Sequence, residues 1–324
     1  MKIEPAFYTL LVTWTREVSS QDLPKMSALP QGRQTMMYYA ASLSLLAFLS
    51  VPALLFIIRA HLQTLRIGLS LKSLLAPFNA TLIGLGISIA ALCANTSVTI
   101  SADLDAQKRA TASTVEAIWA SSFHTCYVFC SYNRAVSIIH VYIPSMERVM
   151  NRLVILIPVI LYLSVIPQAV SAVFVSNPST SASPLLLTTL ETLSRALNAA
   201  GSVLATIFDV ILITAFTKVS RSLRAESGIM NDTQRFLIIS KYGTWAVVAY
   251  WISGMAFIAS TTFQVGFVPN ALRLTAQTVL MMVYFILLAM KVCLQRERRQ
   301  KPDSAKKVLE ATKTERKIDG NGYS

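Results

Sequence analysis

Apolar residues in this chain come in long blocks of roughly 20, the length a helix needs to cross the ~30 Å hydrocarbon core of a bilayer. Seven such blocks can be traced, at about 37–58, 74–94, 114–141, 153–175, 188–216, 236–262 and 272–294. In lipid each span must satisfy its own backbone hydrogen bonds, so helices are the default. The strict alternation of an outer-membrane barrel is absent. Composition agrees: 54% of the 324 residues are hydrophobic and 14% charged, with a mean hydropathy of +0.54. A soluble domain carries about a quarter charged residues. The expected fold class is an all-α membrane protein, a seven-transmembrane helix bundle. The expected divisions are an extracellular N-terminal tail at 1–36, the helical domain at 37–294, and a disordered basic cytosolic tail at 295–324.

The net charge of +13 would suggest nucleic acid in a soluble protein. Here the excess sits in short connections and in the tail, so the lipid bilayer is the expected partner and nucleic acid is not. The connections after the first, third and fifth blocks, with the tail, hold nineteen Lys and Arg residues. The N-terminal segment and the other connections hold seven. Positive residues stay inside, which puts the N-terminus outside and the C-terminus in the cytosol. Only an odd number of spans allows that, in agreement with seven. Residues 6–14 are apolar but short and lack a cleavage site, so the first span is expected to act as its own insertion signal. The multi-pass chain is expected in the plasma membrane.

The four cysteines, Cys93, Cys126, Cys130 and Cys293, lie within or beside apolar blocks and imply no disulfide framework. Asn95-Thr96-Ser97 is a glycosylation sequon on the predicted outer side, close against the second span. The three histidines, His61, His124 and His140, fall on different elements, and no nucleophile stands beside a base. No catalytic residue, metal site or cofactor is therefore expected.

Polar residues inside spans carry the functional signal, because ionisable groups in lipid are costly and turn toward protein. In the fifth block Glu191, Arg195, Asn198, Ser202, Thr206 and Asp209 recur three or four residues apart, on one helical face. The face is expected to point at neighbouring helices. A stripe of interhelical hydrogen bonds and a ligand or ion pathway both fit it. Glu191 and Arg195 can pair at i, i+4, and Asp209 needs a partner or a proton deeper in the membrane. The third block adds Glu116 near its outer end, His124 at mid-span, and Asn133 and Arg134 about two turns from its cytosolic end. Glu116, His124, Glu191, Arg195 and Asn198 are the candidate ligand contacts.

The run Ser131-Tyr132-Asn133-Arg134-Ala135-Val136-Ser137-Ile138-Ile139-His140-Val141 resembles the end of the third helix in rhodopsin-like G-protein-coupled receptors. That family reads Asp/Glu-Arg-Tyr followed by hydrophobic-x-Ile-x-His-Pro. Arg134, Val136, Ile138 and His140 match in register, whereas Asn133, Ala135 and Val141 replace the acid, tyrosine and proline. Trp251 in the sixth block and Pro167 in the fourth also resemble the family. The second block lacks its aspartate, the seventh lacks Asn-Pro-x-x-Tyr, and no cysteine stands in the second outer connection. Lys291 lies at the cytosolic end of the seventh block, not at its middle, which argues against a retinal-bearing protein.

The resemblance implies a receptor that passes a signal from an unknown extracellular ligand to a heterotrimeric G protein. Its implied switch residues are Asn133, Arg134, His140, Asp232 and Trp251, with Asp232, Glu226 or Asp209 restraining Arg134. The competing expectation is a transporter or channel that uses the fifth-block stripe.

Overall fold

The computed structural model describes residues 31–64, 76–101, 105–176, 183–225, 233–262 and 268–319. These residues form seven helices: α1 (Gln31–Thr64), α2 (Pro77–Ser101), α3 (Ala106–Tyr142), α4 (Pro144–Ser176), α5 (Pro184–Ala225), α6 (Thr233–Thr262) and α7 (Val268–Asp319). Six of them are long and apolar enough to cross a membrane. The chain is an all-α, multi-pass integral membrane protein.

Consecutive helices pack side by side around a ring, and α7 closes it against α1 and α2. The third helix sits inside, touching α2, α4, α5 and α6. That position explains its composition. α3 is 37 residues long but is not one of the six apolar helices. A helix walled in by protein can carry Ser121, Ser131 and Arg134 as buried residues, because its neighbours supply the hydrogen-bond partners that lipid lacks.

Local chemistry sets the helix ends. Asp105 caps α3, its carboxylate accepting from the Lys108 backbone N–H at 2.7 Å. That bond, helped by the nearby Lys108 charge, holds the Asp105 carboxyl below its ordinary range. At the other end of α3 a single residue, Ile143, turns the chain into α4, and Pro144 opens α4 where no amide hydrogen is needed. Prolines stand inside α1 (Pro52) and α4 (Pro158, Pro167), and both helices continue through them.

The core runs along α3, where Phe123, Tyr127, Val128 and Ile138 meet Phe208, Phe216, Val247 and Tyr284. Glycine permits the closest approaches. A Cβ at Gly86 would lie 2.8 Å from Val51 Cγ2 and 3.2 Å from Tyr284 Oη, and so would push apart α1, α2 and α7. Hydroxyls pin α5 to α6: Ser240 Oγ donates to Phe216 O at 2.7 Å and lies 2.7 Å from Ser220 Oγ.

Three expected boundaries change. The helix expected from 37 begins at Gln31, and residues 1–30 lie outside the described residues. α5 continues past 216 to Ala225. The segment after 294, expected to be disordered, is helical through Asp319. Its Glu, Lys, Arg, Gln and Ala residues are strong helix formers, so its polarity did not mean disorder.

Candidate functional site

α3 threads three polar layers. Taken at 1.5 Å per residue, Glu116 lies about 17 Å and Arg134 about 11 Å along the axis from Tyr127, in opposite directions. The layer around Tyr127 joins three helices. Asp209 of α5 is fully buried, and its two carboxylate oxygens accept separate hydrogen bonds. Tyr127 Oη donates to Oδ1 at 3.1 Å, and Trp251 Nε1 of α6 donates to Oδ2 at 3.1 Å. Tyr127 stacks on Tyr250 with centroids 4.1 Å apart, and His124 meets Tyr250 edge-on at 5.4 Å. His124 Nδ1 lies 2.6 Å from Ala120 O, one turn back on its own helix. Asp209, His124 and Trp251, singled out on three separate helices in the sequence, therefore converge.

The layer at Arg134 lies toward the α3 C-terminus. Arg134 is 5% exposed. Its Nε donates to Cys130 O at 3.1 Å, its Nη2 to Ser131 Oγ at 2.9 Å, and its Nη1 to the thioether of Met290 at 3.4 Å. Among the described residues no carboxylate pairs with it, and Asp209 is engaged one layer away. Asp232 and Glu226, the other expected restraints, lie outside the described residues. Asn133 is half-buried beside Arg134 and makes no side-chain hydrogen bond among the described residues. His140 is exposed, its Nδ1 3.0 Å from Glu147 Oε2 across the Ile143 corner. Lys291 of α7 is buried in the same region, donating to Asn79 Oδ1 and lying 5.7 Å from the Phe78 ring centroid.

At the opposite end, Glu116 pairs with Arg273 of α7 at 3.3 Å. Gln277 Nε2 donates to Thr96 Oγ1 at 2.6 Å, which joins α7 to α2. Asn95 is not a loop residue: it lies within α2, and its amide donates to Ala112 O at 3.0 Å. A glycan acceptor needs a free amide on an accessible loop, and this one is tied to α3.

The fifth-helix stripe departs from expectation. Glu191, Arg195, Asn198, Ser202 and Thr206 are exposed on the outside of the bundle, and only Asp209 turns inward. The seam of α5 runs through Gly201, Ala205, Phe208 and Leu212, beside the polar face and not along it. The hydroxyls of Ser202 and Thr206 donate back to the α5 backbone, to Asn198 O and Ser202 O, at 2.9 Å each. Glu191 and Arg195 pair with each other at 2.5 Å. The five candidate ligand contacts thus separate into Glu116 beside α7, His124 in the central layer, and Glu191, Arg195 and Asn198 on the outer face. Tyr127 and Tyr250 went unremarked in the sequence as aromatic residues in apolar spans. The one available signal was that Tyr127 lies two helical turns from Arg134 on the same face. No protein-family profile, curated sequence or solved structure matches this chain.

Proposed function

We propose that this chain is a seven-transmembrane receptor-like protein of the plasma membrane, with its N-terminus outside and its C-terminus in the cytosol. It passes an extracellular signal to a cytosolic partner, and a heterotrimeric G protein is the partner to test. The observation that carries this reading is the Asp209 carboxylate. It ties α5 to both α3 and α6 from inside the bundle, while Arg134 stands on α3 about 11 Å along the axis from Tyr127 with no acidic partner among the described residues. A ligand that favours one arrangement of these three helices would shift the population and move the Arg134 end of α3. The loop charges support the orientation. A pathway along the fifth-helix stripe has less support, because above Asp209 that stripe faces away from the bundle.

Replacing Arg134 by glutamine should lower nucleotide exchange on a co-expressed G protein by about tenfold or more, the size of one lost charge-assisted contact. Surface expression should stay unchanged. Exchange equal to the parent's would sink the assigned role. Orientation has its own test: an epitope after Ser324 should stain only after permeabilisation, and staining of intact cells would reverse the topology.

A further inference from the structure

We propose that the end of the bundle where α3 and α7 leave the membrane holds a phosphate-binding site built by Arg134 and Lys291. The two residues are 5% and 6% exposed. The Arg134 guanidinium touches Met290, the residue before Lys291 on α7, so two like charges lie at one buried end of the bundle. The ion pairs among the described residues are Asp105–Lys108, His140–Glu147, Glu191–Arg195 and Glu116–Arg273, and none involves either cation. A buried charge is costly unless it is paired.

The donors are also under-used. A guanidinium has five N–H donors and an ammonium three. The acceptors they meet are Cys130 O, Ser131 Oγ, Asn79 Oδ1 and the Met290 thioether, and sulfur is a weak acceptor. An incoming anion would therefore find free hydrogens as well as charge. A carboxylate would neutralise one cation and leave the other buried. A phosphomonoester carries a charge of about −1.5 to −2 and three acceptor oxygens, which match two cations and their spare donors. Arg134 lies about 12 Å along the axis from the α3 end at Tyr142, the end from which a headgroup phosphate or a dissolved one would have to enter. The proposal needs only the two cations and does not rest on the receptor reading.

The test uses the full chain in nanodiscs of phosphatidylcholine alone. It adds in turn a phosphatidylinositol bisphosphate, phosphatidylserine at matched charge, and inorganic phosphate. At least one phosphomonoester source should raise the melting temperature by about 5–10 °C at saturating levels. Lys291→Met should be as stable as the parent in neutral lipid, because an apolar side chain there removes an unpaired charge. It should also lose most of the phosphate-dependent shift. A shift with the lipid alone identifies a headgroup, and a shift with inorganic phosphate as well identifies a free anion. Both outcomes support the site. No shift from either source would overturn it. So would an undiminished shift in Lys291→Met, or an equal response to phosphatidylserine in parent and variant. If the methionine variant does not fold, Lys291→Gln, which can still reach Asn79, gives the same comparison.

Discussion

Replacing Asp209 by alanine should lower the melting temperature by about 5–10 °C. Two donors, the Tyr127 hydroxyl and the Trp251 indole N–H, lose the carboxylate acceptor they share in that variant. Leaving a buried donor unpaired costs about 1–3 kcal/mol. Tyr127 is fully buried, and Trp251, 38% exposed, lies in an apolar span where lipid offers no acceptor, so each donor is left unpaired at a cost in the lower half of that range. The sum is about 2–4 kcal/mol, and about 2–4 °C accompanies each kcal/mol in a chain of this size. Asp209→Asn keeps one carbonyl oxygen and should lose about half as much. The diagnostic variant is the double one. Removing the Tyr127 hydroxyl from the alanine variant removes the orphaned group itself, so Asp209→Ala with Tyr127→Phe should melt above Asp209→Ala alone. Thermal melting in detergent or nanodiscs reads both. A single variant that melts with the parent, or a double variant that is further destabilised, would show that the carboxylate does not hold the three helices together.

Gly243→Val should destabilise by about 3 kcal/mol or more, at the upper end of the cost of overfilling a packed core. A Cβ at Gly243 would lie 2.4 Å from Phe216 Cε2 and 2.7 Å from Cζ, both on a ring that is fully buried. Removing a helical glycine returns about 0.5–1 kcal/mol of backbone propensity at most, so the clash decides the sign. The ring cannot swing aside without separating α5 from α6, and the Ser240–Phe216 bond sits at that same contact. Shrinking the ring should relieve the strain: Phe216→Leu combined with Gly243→Val should recover most of the lost stability. Purification yield and melting temperature together read the effect. A valine variant as stable as the parent would mean that α5 and α6 are not in contact there.

The positions that matter were legible in the sequence, but not their grouping. Asp209 drew attention as an acid inside a span, His124 as a mid-span histidine, and Trp251 by its resemblance to a receptor tryptophan. Nothing in one dimension says that an α5 acid meets an α6 indole, because helix rotation and separation come from the packing of every other side chain. The fifth-helix stripe shows the same limit from the other side. Its spacing assigned six residues to one face, but five of them are exposed and Asp209 is buried. The direction of that face was set by Gly201, Ala205 and Phe208, whose shapes fit α4 and α3 better. Lys291 had been placed at the cytosolic end of the seventh block and counted with the basic tail, and its burial beside Asn79 was invisible because the two are 212 residues apart in the chain.

What the sequence determined by itself was the membrane and the helix. Blocks of about 20 apolar residues leave no other way to satisfy a backbone in lipid, and that holds whatever the neighbours are. The distribution of Lys and Arg added an expected orientation for the same kind of reason, since each loop charge acts nearly independently. Only the tertiary structure decided that polar α3 stands inside the ring of helices, that Asp209 turns in while Glu191 and Arg195 turn out, and that Arg134 and Lys291 share a buried corner. Those outcomes depend on close packing between helices far apart in the chain. A one-residue change in fit rotates a face by about 100°, and no local pattern records it.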